Sequence, residues 1–247
     1  MARFAGKTVF VTGGANPKGM SFATAKAFLA EEASVFLFDI DAERLPSAVA
    51  ALGGERVRAR TGDVRSRTDV EAALEECERE LGPVDILVNH AGIGPSVHTL
   101  ELSEQGWDEV IGTNLTGVFR VAQGVARRMV ERRRGVILNM SSTGGIAAEP
   151  GHAHYAASKA GILALTRAMA HDLAPAGVRV CALCPGDVST YEWGNVELAR
   201  LYRMRIAAGR SGRPEEVAAV YLYLASDDAR HLTGCAFLVD GGMLAWE

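Results

Sequence analysis

Short runs of Val, Ile, Leu and Phe recur along the chain, spaced so that one helix fits between each pair. They fall at 9–12, 35–39, 56–60, 86–89, 136–140, 178–184 and 236–239, and helical patterns occupy 20–32, 42–52, 68–81, 104–111, 113–131, 155–173 and 214–226. Strands apolar along most of their length need cover on both faces, which is the condition of a parallel sheet. Right-handed crossovers turn this alternation into an α/β, Rossmann-type, doubly wound and mostly seven-stranded parallel sheet with helices on both faces. No linker, repeat or low-complexity tract interrupts it, so residues 1–247 read as a single domain. Ligands of such sheets lie beyond the carboxyl ends of the strands, where strand order reverses.

The remaining sequence excludes several classes of function. A net charge of −4 leaves no basic stripe for nucleic acid, and the densest cationic run (Arg127-Arg128 with Arg132-Arg133-Arg134) is interrupted by Glu131. The first strand begins almost at once, without a secretory leader, and no apolar segment approaches bilayer length. A cytoplasmic protein without a membrane partner is expected. Cys181 and Cys184 have redox or zinc spacing, yet residues i and i+3 of a strand face opposite ways, so they read as buried thiols. His152-Ala-His154 lacks a third ligand at useful spacing, and no metal is expected.

Nucleotide chemistry is signalled after the first strand. Thr12-Gly13-Gly14-Ala15-Asn16-Pro17-Lys18-Gly19-Met20-Ser21 runs into a helix, whose free N–H groups and dipole suit a pyrophosphate. Asp39 closes the second strand, 20 residues past Gly19, where a carboxylate can accept both hydroxyls of a ribose. Asp39 could instead cap the helix that follows, but Asp41 could serve that role.

Further residues, in order, carry a resemblance. Asp63-Val64, Asn89-His90-Ala91-Gly92, Asn114 in NLTGVF, Ser142 in NMSS, Tyr155-Ala-Ala-Ser-Lys159, Pro185-Gly186 with Thr190, and VDGG at 239–242 follow one another. From end to end the chain resembles the short-chain dehydrogenase/reductase family. Two departures stand out. The glycine-rich loop is two residues longer and ends in Ser21 instead of Gly, leaving Ser21 able to bond phosphate. His90 replaces the commoner second Asn, and is expected as a buried or half-buried imidazole bonding backbone.

The resemblance implies hydride transfer between NAD(H) and a small alcohol or ketone, with Tyr155, Lys159, Ser142 and Asn114 as the catalytic set. Positions 155 and 159 share a helix face, so the ammonium lies near the phenol and is expected to help lower its pKa. The family also implies that Ser142 holds the substrate oxygen, Lys159 bonds the cofactor ribose, and Asn114 holds a relay water. The cofactor is expected against Gly13, Asn16, Lys18, Gly19, Met20, Asp39, Ile40, Asp63, Val64, Asn89, Ala91, Gly92, Tyr155, Lys159, Pro185, Gly186, Val188 and Thr190. Asp39 favours NAD and Lys18 favours NADP; the carboxylate acts at shorter range, so NAD is expected. Substrate contacts are expected from Ser142, His152, Tyr155, Tyr191 and Trp193, with further walls at 94–98 and 144–152.

A homotetramer or homodimer is implied, packing the helices at 113–131 and 155–173 with Gly161, Ala164 and Ala168 as a close surface. Two other readings stay open: a 3-oxoacyl thioester reductase, and a catalytically idle NAD-binding regulator. A sugar-nucleotide epimerase is disfavoured because only five residues follow Gly242, and an enoyl reductase because it wants a wider Tyr–Lys spacing.

Overall fold

The computed structural model describes residues 2–189 and 204–245. Seven strands form one parallel sheet in the order β3-β2-β1-β4-β5-β6-β7. They are β1 Thr8–Thr12, β2 Ser34–Asp39, β3 Val57–Thr61, β4 Val84–Asn89, β5 Gly135–Met140, β6 Val178–Pro185 and β7 Ala236–Val239. Strand order reverses between β1 and β4, which pair directly.

The strands divide their apolar side chains between two cores. Val9, Val11, Val35 and Leu37 face one side, against Phe28 of α1 (Met20–Ala30), Leu45 of α2 (Leu45–Leu52) and Tyr221 and Leu224 of the helix Pro214–Ala225. Phe10, Phe36 and Leu87 face the other, against Leu74 of α3 (Arg67–Leu81) and Val125 and Met129 of the helix Val118–Glu131. Phe10 and Phe36 stack across neighbouring strands at 5.4 Å. Burying a large apolar side chain contributes about 1.5–3 kcal/mol, so these two layers hold the strand ends in place.

Local signals set the helix ends. Ser66 accepts from the Asp69 N–H to start α3, and Gly82 ends it at φ +89°. The Asp41 carboxylate accepts from the N–H groups of Glu43 and Arg44 just before α2, the capping role expected of it. The two helices expected at 104–111 and 113–131 are one continuous rod instead. α4 (Glu104–Ile111) runs through a π-helical stretch, Gly112–Gly117, into α5 (Val118–Glu131). α6 spans Ala153–Leu173, and α7 is Pro214–Ala225, opening with Pro at its first turn and a Glu216-to-Arg213 N–H bond.

Cys181 and Cys184 are buried, unbridged, and belong to different apolar clusters, as opposite strand faces require. A Cβ on Gly161 would sit 2.8 Å from Leu115 Cδ2 of the same chain, whereas Ala164 and Ala168 are exposed.

Candidate active site

A two-lobed cleft runs across the carboxyl ends of the strands. One lobe, about 540 Å³, lies between the turn after β1 and the ends of β2, β3 and β4. The other, about 400 Å³, lies between the ends of β4, β5 and β6. Met20, His90, Gly92 and Ile93 line both, so the lobes are continuous.

In the first lobe, Gly13 turns at φ +75°, and a Cβ there would sit 3.0 Å from Ala91 Cα, which explains the glycine. Thr12 Oγ1 accepts from the N–H groups of both His90 and Ala91, at 2.9 Å each, and ties the turn after β4 to β1. Asp39 holds the lengthened loop: its Oδ2 accepts from Ala15 N–H at 2.8 Å and its Oδ1 from Asp41 N–H at 3.0 Å. The carboxylate keeps further acceptor capacity toward the lobe, since each oxygen carries two lone pairs. Ser21, open from sequence to a phosphate role, spends its hydroxyl proton on Gly13 O. Ile40 is 63% exposed beside Asp39, an apolar side chain with no packing reason to be there.

The second lobe is built on β5 and α6. Ser142 follows the end of β5, and its Oγ accepts from Gly144 N–H at 3.1 Å. Lys159 is buried, and its Nζ donates to Met140 O at 2.9 Å and lies 5.5 Å from the Tyr155 ring centroid. Glycines press the phenol from both sides. A Cβ on Gly94 would meet Tyr155 Cδ2 at 2.8 Å, and one on Gly144 would meet Cε1 at 3.3 Å. Gly145 lies flat on α6, where a Cβ would sit 2.7 Å from the Lys159 carbonyl carbon. Gly145→Ala must therefore displace the helix backbone that carries Lys159. A loss of about 1–3 kcal/mol in urea unfolding is expected, with a matching fall in any activity.

The electrostatics differ from the sequence expectation. Burial pushes the Tyr155 phenol up, the Glu149 carboxylate adds to the rise, and a hydrogen bond from Ser142 only partly opposes it. Burial also lowers Lys159 to about 8, so the ammonium is itself destabilised, and it donates to the Met140 carbonyl behind the ring. The protein alone does not make Tyr155 acidic. His90 is lowered to about 3, by burial and then by the Lys159 charge, and stays neutral across the working range.

Most expected site residues line the cleft: Gly13, Asn16, Gly19, Met20, Asp39, Ile40, Asp63, Val64, Ala91, Gly92, Ser142, His152, Tyr155, Lys159, Pro185, Gly186 and Val188. Three do not. Lys18 is exposed and lines neither lobe. Asn89 is buried in the sheet, its amide donating to Val118 O and Asn139 Oδ1, so it braces β4 against α5 and β5. Asn114 sits behind the wall in the π-helical stretch. Its amide donates to Ile93 O and Ser158 Oγ and accepts from Ile93 N–H, positioning the turn after β4. Thr190, Tyr191 and Trp193 lie outside the described residues.

His152 and His154 diverge. The first stands at the cleft with its ring 6.1 Å from that of Tyr155, and the second is buried. Sequence reasoning did not single out Glu149, Asp187 or Arg65, all of which line the cleft. Glu149 lies within the stretch 144–152 expected as a substrate wall, but in a loop without periodic signal, so the sequence did not tell which of its residues faces the cleft.

Residues 13–244 match the family model described as enoyl-(acyl carrier protein) reductase, and the cleft carries many of the residues by which the sequence resembled this group, Ser142, Tyr155 and Lys159 among them. The chain belongs to the short-chain dehydrogenase/reductase family. It is 39% identical to the 3-oxoacyl-[acyl-carrier-protein] reductase of Thermotoga maritima over 98% of this chain and 99% of that one. It is 37% identical to the meso-2,3-butanediol dehydrogenase of Serratia marcescens, over 98% and 96%. Among solved structures, levodione reductase superposes with a TM-score of 0.93 at 31% identity, covering 99% of this chain and 100% of that one. As a member of the family, the chain is an oxidoreductase.

Proposed function

We propose that this enzyme interconverts a small secondary alcohol and its ketone with NAD(H), Tyr155 holding the transferred proton. The observation that carries the reading is the continuity of the cleft: Asp39 stands in one lobe and Ser142, Tyr155 and Lys159 stand together in the other. A dinucleotide is itself two-lobed, and the donor set at each end suits it. Asp39 would accept from the adenosine ribose, Ile40 and Val64 would cover the adenine, the start of α1 would face the pyrophosphate, and Lys159 would reach the second ribose. The nicotinamide, when bound, supplies or accepts the hydride. Ser142 and Tyr155 then hold the substrate oxygen, with the proton on the phenol for reduction and absent from it for oxidation. Asn114 and Gly145 act as positioning residues.

Asp39 supports NAD over NADP. A 2′-phosphate would meet its carboxylate, Lys18 is turned to solvent, and Arg65 is tied to Asp63 at 2.7 Å. Asp39→Asn keeps an acceptor for Ala15 N–H while removing the charge. The NADH/NADPH ratio of dissociation constants is expected to shift toward NADPH by about tenfold, the loss of one charge-assisted bond. Fluorescence titration of both cofactors measures it, and tighter NADPH binding by the unaltered enzyme overturns the NAD assignment. Turnover of an alcohol panel with NAD⁺, followed by nicotinamide absorbance, separates an enzyme from an idle regulator.

The 39% identity to a 3-oxoacyl-[acyl-carrier-protein] reductase supports a second reading, reduction of a 3-oxoacyl thioester. A short 3-oxoacyl thioester turned over with NADPH faster than any alcohol or ketone is oxidised or reduced with NAD(H) would favour it. A cytoplasmic setting and a homotetramer or homodimer belong to the same proposal. Phe119 and Val130 are exposed beside an open groove between α5 and α6, which supports association there. No described helix is long and apolar enough to cross a membrane.

A further inference from the structure

Glu149 stands in the substrate lobe with Ser142, His152 and Tyr155, close enough to bear on the phenol's charge. Across from it, beyond the segment 190–203, the Arg205 guanidinium lies 3.8 Å from the Glu149 carboxylate. This contact is a loose ion pair between partly exposed groups, and a carboxylate can accept several hydrogen bonds at once. Asp187 is the second carboxylate of the lobe and is spent on Ser211 Oγ at 2.5 Å. Among the described residues, Lys159 is the one cation lining the lobe, and it sits behind the Tyr155 ring.

We infer that Glu149 selects the substrate: a neutral molecule with a hydroxyl beside the reacting carbon, that is, a vicinal diol and its 2-hydroxyketone. This rests on the dehydrogenase reading above. With the reacting oxygen held by Ser142 and Tyr155, the neighbouring hydroxyl donates to Glu149. A hydroxy acid brings a second carboxylate up to the first, and a 3-oxoacyl thioester has no hydroxyl beside its reacting carbon. In oxidation the carbinol C–H hydride passes to NAD⁺, the O–H proton passes to Tyr155, and the diol becomes the hydroxyketone. The second hydroxyl is unchanged.

The test compares butane-2,3-diol with butan-2-ol, and acetoin with butanone, in the full-length enzyme and in Glu149→Gln and Glu149→Leu. The unaltered enzyme should favour the diol over the mono-alcohol in kcat/KM by about ten- to hundredfold, the worth of one hydrogen bond to a charged group. Lactate should be the poorest of the three. Leu at 149 should bring the diol to mono-alcohol ratio of kcat/KM close to one, whatever happens to the absolute rates as the charge near Tyr155 is removed, and Gln should retain part of the preference. A readout without turnover uses Tyr155→Phe loaded with NADH: acetoin should bind more tightly than butanone, and the additional Glu149→Leu change should equalise them.

Equal use of diol and mono-alcohol by the unaltered enzyme overturns the inference and leaves the dehydrogenase reading standing. So does an equal loss of both in Glu149→Leu. Failure of every alcohol and ketone overturns both readings.

Discussion

Tyr155→Phe is expected to lower kcat by about 10²–10⁴ in both directions, the usual worth of a positioned general acid or base. NADH affinity should change by less than about twofold, because the ring still fills the slot between Gly94 and Gly144 and only the hydroxyl is lost. Steady-state rates with NADH titration separate the two effects, and retained turnover would remove Tyr155 from the chemistry. The pH profile of the unaltered enzyme carries a related expectation. Burial raises the phenol, so the base form becomes available only as pH rises. Alcohol oxidation should therefore accelerate into the alkaline range, and ketone reduction should hold its rate at lower pH and decline as the phenol loses its proton.

Lys159→Met is expected to make the cofactor-free protein more stable and the enzyme nearly inactive. Lys159 is buried, and its folded pKa near 8 lies below the ordinary 10.5. Below pH 8 both folded and unfolded chains carry the proton, and the folded state bears the full desolvation cost of about 3 kcal/mol. Between pH 8 and 10.5 the unfolded chain binds more protons than the folded one, so stability rises with pH; above 10.5 the penalty is gone. Methionine has a similar shape and no charge. Urea unfolding at pH 7 should show the variant ahead by a few kcal/mol, and the gap should close toward pH 10.5. A less stable variant at pH 7 would mean that the bond from Nζ to Met140 O outweighs burial. Activity should fall by about a hundredfold or more, in line with removal of one preorganised donor.

The fold was legible because its signals are local and repeated. Each β-branched run, each glycine or proline stop and each capping serine or aspartate acts within a few residues, and they agree with one another. The i, i+4 relation of Tyr155 and Lys159 was legible for the same reason, since one helix determines it. That Asn89 lies in the sheet and Lys18 at the surface was not legible, because a place in sequence near a nucleotide turn does not say whether a side chain points into the cleft, into the sheet or into solvent.

By itself, then, the sequence determined the doubly wound sheet, the turn after β1, the acid at the end of β2 and the Ser142–Tyr155–Lys159 grouping. Tertiary structure alone decided that Asp39 also anchors the glycine-rich loop, that Asn114 braces the turn at Ile93, and that Glu149 joins the substrate lobe. It also decided the charge balance at the site, raising Tyr155 and lowering Lys159. Periodicity and caps act along the chain, whereas desolvation and long-range contact depend on which distant segments close over a group, and no short-range pattern records that.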